Sequence, residues 1–233
     1  MRLYYVRHGD PIYSPDSLTP LGRRQAEALS RRMTLHGLDR IFASTSIRAQ
    51  QTAQPTAEVL KKDITLLDWA HENHAWAQLA FDVEPGRRTW ACSSERFKMA
   101  FQHPEVRTLG RRWYEHPLFK EYPSFGEGIQ RIQREADAFL ASLGYVHDLE
   151  RNVYISAGGN KENIGFFAHE GFGLAFLSCI LDIPYPMFST HFALAHSRVN
   201  VIEFPDKAGE IVPQMLQFGG DSHLFADRLP CIY

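Results

Sequence analysis

Cysteine is scarce in this 233-residue chain: Cys92, Cys179 and Cys231 are odd in number and far apart. They offer neither a disulfide framework nor the paired spacing of a zinc site, which makes a reducing cytoplasm the simplest setting. An excess of one charge is also missing. The 25 Lys and Arg residues against 27 Asp and Glu give a formal net charge of -2, so no global field draws the protein to nucleic acid or to an anionic membrane. Any anion must be held by a local arrangement. The best apolar stretch, residues 172–183, is too short to span a bilayer. The first residues read as a strand and lack the basic segment, apolar core and cleavage site of a secretory leader. There is no internal repeat, no low-complexity tract, no Walker-type Gly-Lys-Thr loop and no G-x-G-x-x-G opening a helix, which argues against nucleotide-loop enzymes.

What is present is a chain with 44% hydrophobic residues, enough to bury a sizeable core. The expectation is a single α/β domain over residues 1–233 with an insertion at about 73–150. An apolar, aromatic-rich strand opens the chain and stops abruptly at Arg7-His8-Gly9-Asp10. Residues 10–18, rich in Pro, Ser and Asp, predict a loop. Thr19-Pro20 then offers an N-cap followed by proline at the first helical position. The helix predicted from there to about His36 places Leu21, Ala28 and Leu29 on one face, and Gly37 is set to end it. Residues 40–44 predict a second strand, Ser44-Thr45-Ser46 stand where a helix cap would, and Pro55 should kink or split the helix over 47–62.

Between residues 68 and 112 the periodicity fades, and Trp69, Trp76, Trp90 and Trp113 alternate with arginines. This predicts a helical insertion, either a lid over a substrate or a small core of its own with arginine stems laid across it. Residues 123–128 predict a turn, and residues 129–143 an amphipathic helix with Ile132, Ala136, Phe139 and Leu143 on one side. Strands are predicted over 152–157 and 163–168, and Gly158-Gly159-Asn160 between them reads as a hairpin turn in preference to a phosphate-cradling loop. His169-Glu170-Gly171 stops a strand as Arg7-His8-Gly9 does, an apolar helix runs to about Leu181, and residues 199–204 and 211–218 complete the sheet. The alternation predicts a three-layer α/β fold, with a mainly parallel central sheet and helices on both faces.

In such a sheet, ligands gather outside the carboxyl ends of the strands. Three predicted strands deliver polar residues there: Arg7 and His8, the segment Ser44 to Arg48, and His169. If these strands are neighbours, two arginines and two histidines converge. That cluster is costly without an anion, because like charges repel and desolvated charge is expensive. Phosphate relieves the cost, since planar guanidinium groups each give it two hydrogen bonds and helix N-termini favour it.

Taken in order, four segments resemble the histidine phosphatase superfamily, also called the phosphoglycerate mutase-like fold. They are Arg7-His8-Gly9, Leu18-Thr19-Pro20-Leu21-Gly22-Arg23-Arg24-Gln25-Ala26, Ser44-Thr45-Ser46-Ile47-Arg48-Ala49-Gln50-Gln51-Thr52-Ala53, and His169-Glu170-Gly171. Asp221-Ser222-His223-Leu224 is similar to the family's tail, whereas residues 73–150 match nothing. The resemblance implies that His8 is the nucleophile, attacking phosphorus through a neutral ring nitrogen to form a phosphohistidine. Its other nitrogen would donate to a nearby backbone carbonyl. Arg7, Arg48 and His169 would bind the non-bridging oxygens, and water would then attack the phosphoenzyme. No metal or other cofactor is required by that scheme.

A general acid must protonate the leaving alkoxide. The resemblance implies a carboxylate after the second helix, here Glu72, with Asp68 and Asp10 as alternatives; Trp69 and Trp76 could desolvate Glu72. The bland reading of Glu72 is a solvated acid at a helix terminus. His71 and His74 with Glu72 and Asp68 could suggest a metal site, but the i, i+4 pairing of the His-Glu-x-x-His motif is absent. The reading is therefore a cytoplasmic, metal-independent phosphomonoesterase acting on a small-molecule phosphate ester, with no nucleic-acid or membrane partner. Its rivals are phosphoglycerate mutase-type transfer and a non-catalytic phosphate-binding protein. The substrate and the oligomeric state stay open.

Overall fold

Residues 3–6 are Leu-Tyr-Tyr-Val, all of them strand formers, and β1 (Arg2–Arg7) buries them on both faces. The computed structural model describes residues 1–231, so the last two positions of the expected 1–233 span lie outside the described residues. After β1 come a short hairpin, β2 (Pro11–Tyr13) and β3 (Asp16–Leu18), then α1 (Pro20–His36), β4 (Arg40–Ser44), α2 (Ile47–Leu60) and β5 (Ile64–Leu67). The middle of the chain holds α3 (Glu72–Leu79), the hairpin β6 (Ala80–Glu84) and β7 (Arg87–Trp90), α4 (Glu95–Phe101), α5 (Pro104–Thr108) and α6 (Pro123–Ser142). The remainder is β8 (Tyr145–Asp148), β9 (Val153–Ala157), β10 (Asn163–Ala168), α7 (Glu170–Ile180), α8 (Tyr185–His191), β11 (Val199–Glu203), β12 (Ala208–Ile211), β13 (Gln214–Gly220) and α9 (Ser222–Ala226).

The central sheet has the order β13-β11-β1-β10-β4-β5. The pairs β1–β10, β10–β4 and β4–β5 are parallel, and β11 runs antiparallel to both β1 and β13. Side chains alternate as a pleated strand requires. Leu3 and Tyr5 join Phe42 and Phe166 in a core with Ile132, Phe139, Phe172 and Phe176 of α6 and α7. Tyr4 and Val6 face the other way, with Ile41 and Phe167, onto Leu29, Met33, Ala53 and Ala57 of α1 and α2. Helices thus cover both faces of a mostly parallel sheet, as the alternation predicts.

Helix α1 starts where its signals place it: Thr19 Oγ1 accepts the Gly22 N–H at 3.0 Å, and the Gly37 N–H closes the last turn on Met33 O at 2.9 Å. Other expectations need correction. Residues 10–18 are not an irregular loop but the β2–β3 hairpin. Helix α2 runs unbroken past Pro55, because Ala49, Thr52, Ala53, Thr56 and Ala57 are all buried along its length; packing outweighs the local defect. Residues 123–128 are not a turn but the opening of α6, with Pro123 at its N-terminus. Gly126 and Gly128 serve close packing, since a Cβ there would meet the Tyr114 ring at 2.8 Å and Gln78 Cβ at 2.7 Å. The residues around Gly158 are no hairpin turn either. β9 pairs with β8 and β12 in a separate antiparallel sheet, while β10 lies in the central one.

The segment between β5 and α6 is mixed, not purely helical, because it contains the β6–β7 hairpin. Its tryptophans divide their duties. Trp113 is fully buried with Phe97, Phe101, Phe119 and Phe125 in a core continuous with the main one, whereas Trp76 and Trp90 meet edge to face, their ring centroids 4.9 Å apart, at the mouth of the cavity described below. α6, within the expected insertion, lies against the central sheet through Phe139. Among the described residues no helix is long and apolar enough to cross a membrane.

Candidate active site

The parallel register sets the site. Arg7 pairs with Ala168 and Ala43 with Phe167, so the ends of β1, β10 and β4 reach one edge together. There Arg7, His8, Arg48 and Glu72 line a cavity of about 500 Å3 whose other walls include Tyr13, Asp16, His71, Trp76, Trp90 and Glu170. His169 is wholly buried behind it, its ring centroid 5.3 Å from that of His8.

His8 follows β1 and keeps the ladder going, its N–H donating to Ala168 O at 2.9 Å. Gly9 then turns beneath the first turn of α1; a Cβ there would lie 2.8 Å from Gly22 O. The His8 Nδ1 is 2.7 Å from Gly9 O. A carbonyl only accepts, so Nδ1 carries the proton and Nε2 keeps a lone pair. Burial, and after it the Arg7 guanidinium, holds the His8 pKa well below its ordinary value, which keeps the ring neutral.

Each of the two arginines is anchored by a carboxylate. Arg7 Nη1 donates to Glu170 Oε2 at 2.8 Å and to Leu194 O at 2.6 Å, and Arg48 Nη1 donates to Asp16 Oδ1 at 2.8 Å. Arg7 Nε and Arg48 Nε are buried and find no partner among the described residues. Asp16 also accepts the Ile47 N–H at 2.7 Å, which ties the β2–β3 hairpin to the start of α2.

His169 is oriented from behind. Its Nε2 lies 2.8 Å from Ser44 Oγ and 3.3 Å from Ser46 Oγ, which turns Nδ1 toward Arg48 Nη2 at 3.2 Å and Glu72 Oε2 at 3.3 Å. The Arg48 guanidinium can only donate, so in this arrangement Nδ1 accepts and Nε2 carries the proton toward Ser44 Oγ. Burial, then the neighbouring His8, holds the His169 pKa well below its ordinary value.

Of the three carboxylates considered for the acid, Glu72 alone lines the cavity. It opens α3, and its Oε1 accepts the Phe172 N–H at 3.2 Å from the first turn of α7. Asp10 is turned to the N-terminus of α1, where its Oδ2 accepts from Thr19 Oγ1 at 2.6 Å. Asp68, with a side chain 77% exposed, faces His74 Nε2 and Thr45 Oγ1. The sequence reading missed His196, whose ring centroid lies 5.4 Å from that of His8 and whose pKa is pushed down to about 4 by burial and by Arg7. It arrives because β11 runs antiparallel to β1 and starts opposite Val6. Local pattern does not carry that pairing.

The four residues weighed for a metal are engaged otherwise: His71 Nδ1 accepts the Asn73 N–H, His74 faces Asp68, and Glu72 faces His169. Among the described residues a closer metal-like grouping is His103, Glu105 and His116, with ligand atoms within 4.8 Å of one another. There His116 Nδ1 accepts the Leu118 N–H, so its Nε2 carries the proton that faces Glu105 at 3.2 Å; neither nitrogen keeps a lone pair for a metal.

A family model for the histidine phosphatase superfamily (branch 1) matches residues 3–214. A putative phosphoserine phosphatase 2 from Hydrogenobacter thermophilus is 25% identical over 167 residues, covering 68% of this chain and 73% of that protein. Among solved structures, a mutant phosphoserine phosphatase from Entamoeba histolytica in complex with phosphoserine superposes with a TM-score of 0.58 at 17% identity, covering 96% of this chain and 98% of that one. The α-ribazole phosphatase from Shigella flexneri gives 0.58 at 18% identity, covering 94% and 96%. A mycobacterial glucosyl-3-phosphoglycerate phosphatase gives 0.59 at 14% identity, covering 94% and 99%. With the family model spanning nearly the whole chain and the fold shared along its length, this protein belongs to the histidine phosphatase superfamily.

Proposed function

We propose that the protein hydrolyses phosphate monoesters through a phosphohistidine formed on His8. The observation that carries this reading is the 2.7 Å contact of His8 Nδ1 with Gly9 O, which leaves Nε2 a lone pair within a pocket that also contains two guanidinium groups. The relatives described as phosphatases support hydrolysis.

In this scheme the phosphoryl oxygens sit against Arg7, Arg48 and His169. Nε2 attacks phosphorus in line, the P–O ester bond breaks, and the electron pair leaves on the alcohol oxygen, which takes a proton from Glu72. The Glu72 carboxylate then takes a proton from water as that water attacks phosphorus; the P–N bond breaks and neutral His8 returns. Charge built up on the equatorial oxygens is met by the arginines, preorganised by Asp16 and Glu170. This chemistry needs no metal.

The test is p-nitrophenyl phosphate turnover in the presence of a chelator, wild type against His8→Ala. Chelator-insensitive turnover that falls by at least ~10^3 in the variant, with an unchanged circular dichroism spectrum, is expected. Persistent turnover in folded His8→Ala would sink the mechanism. A wild type that binds phosphate but turns nothing over would point to strict mutase chemistry or to a binding protein.

A further inference from the structure

The cavity's charges have already been assigned, and they constrain the other half of the substrate. Its two guanidinium groups, Arg7 and Arg48, belong to the phosphate seat and are each paired with a carboxylate, Glu170 and Asp16. Among the described residues no further Lys or Arg lines it. His71 also lines the wall, but burial, and after it Arg48, keeps its pKa lowered, so it adds no cation near neutral pH. Three carboxylates, Asp16, Glu72 and Glu170, share the same walls. Once a phosphate dianion is seated, the pocket is net negative. A second anion on the alcohol would meet like charge with no cation to receive it.

The remaining walls carry three aromatic rings, Tyr13, Trp76 and Trp90, beside His71 and Asn73. Trp76 and Trp90 stand edge to face at 4.9 Å, and Tyr13 lies with its ring 5.3 Å from the Arg48 guanidinium carbon. Trp90 also lies over Gly171, where a Cβ would fall 2.4 Å from the indole, so the helix leaves room for this ring beside Glu72. The Glu72 side of the pocket, where the alcohol departs, is therefore the tryptophan side. A neighbouring cavity of about 330 Å3 shares Trp90, Glu170 and Gly171. Its Lys98 does not line the first cavity.

We propose that the alcohol half of the substrate carries no second negative charge and lays a flat apolar or aromatic face against Trp76 and Trp90. The proposal rests on the hydrolytic reading of the same site, and it sets this pocket apart from one built for carboxylate-bearing esters such as phosphoserine or phosphoglycerate.

Benzyl phosphates that differ only in a remote para group test it, because the leaving alcohol stays nearly constant. Relative to p-carbamoylbenzyl phosphate, kcat/KM should fall at least about tenfold for the p-carboxy compound and hold or rise for the p-aminomethyl compound. Trp76→Ala should cut the preference for benzyl over methyl phosphate by about tenfold. The matching benzyl phosphonates, measured by calorimetry, report the same order in binding and do not depend on turnover. Equal or better use of the carboxylate compound overturns the substrate class and leaves the phosphatase intact. Loss of turnover on every ester, with the phosphonate order preserved, overturns the hydrolytic reading while the pocket's selectivity stands.

Discussion

Gly171→Ala probes the coupling between Glu72, Trp90 and the first turn of α7. The backbone there is helical, so alanine brings no backbone strain and a propensity gain of at most about 1 kcal/mol. The new methyl, however, would fall 2.4 Å from Trp90 Cη2 and 2.6 Å from Glu72 Oε1, roughly 1 Å inside ordinary contact for each. Glu72 has to move, and with it the hydrogen bond from the Phe172 N–H. A general acid is worth ~10^2 to 10^4, and a displacement of about 1 Å costs ~10^2. The expected result is a kcat on benzyl phosphate lower by about 100-fold, because its alkoxide must be protonated as it leaves. p-Nitrophenyl phosphate, whose leaving group is stable as an anion, should lose less than about tenfold. The thermal midpoint should fall modestly, because crowding against the Trp90 ring costs about 1–3 kcal/mol against a propensity gain of at most about 1 kcal/mol. Benzyl phosphate turnover within twofold of wild type would refute the placement of Glu72 as the acid.

Three further perturbations follow from the same geometry. Arg48→Lys keeps the charge but gives up the planar fork between Asp16 and His169, and steady-state kinetics should show kcat/KM lower by ~10^2 or more. His196→Ala removes a ring that helps to bury His8, so the His8 pKa, read by NMR titration of its ring protons, should rise toward its ordinary value. The third concerns stability. His147 stands between Asp137 at 2.8 Å and Asp182 at 3.0 Å; burial opposes its charge, but the two carboxylates outweigh burial and raise its pKa to about 9. A pKa raised above an unfolded value of about 6.5 contributes fully below that pH and is lost as pH rises through the folded value, for a total of roughly 3 kcal/mol. Urea midpoints should therefore fall between these two pH values in wild type, and His147→Asn should flatten that slope.

Much of this was legible because the signals were local. Thr19-Pro20 and Gly37 bracket α1, and the apolar runs that end in Arg7-His8 and in His169 are the strands β1 and β10. Because β10 lies between β1 and β4, the ends of those runs meet. What was hidden depends on distant partners. Nothing near Gly158 tells that β9 leaves the central sheet, and Gly126 and Gly128 mimic a turn while making room for Tyr114 and Gln78. His196 reaches the His8 ring through an antiparallel strand and Asp16 the cavity wall through a three-residue hairpin arm, elements too short or too far in sequence to leave a periodic trace. The tryptophans could not be sorted by pattern either. Trp113 fills a core and Trp90 walls a cavity, a difference made by the hairpin that places Trp90 opposite Ala80.

The most direct measurement is a rapid-quench experiment with radiolabelled phosphate ester, stopped in base to preserve a phosphoramidate and digested for mass spectrometry. A base-stable, acid-labile label on the peptide containing His8, formed in wild type and absent from His8→Ala, is the predicted result. Turnover without any such label, or a label on another residue, would contradict the account.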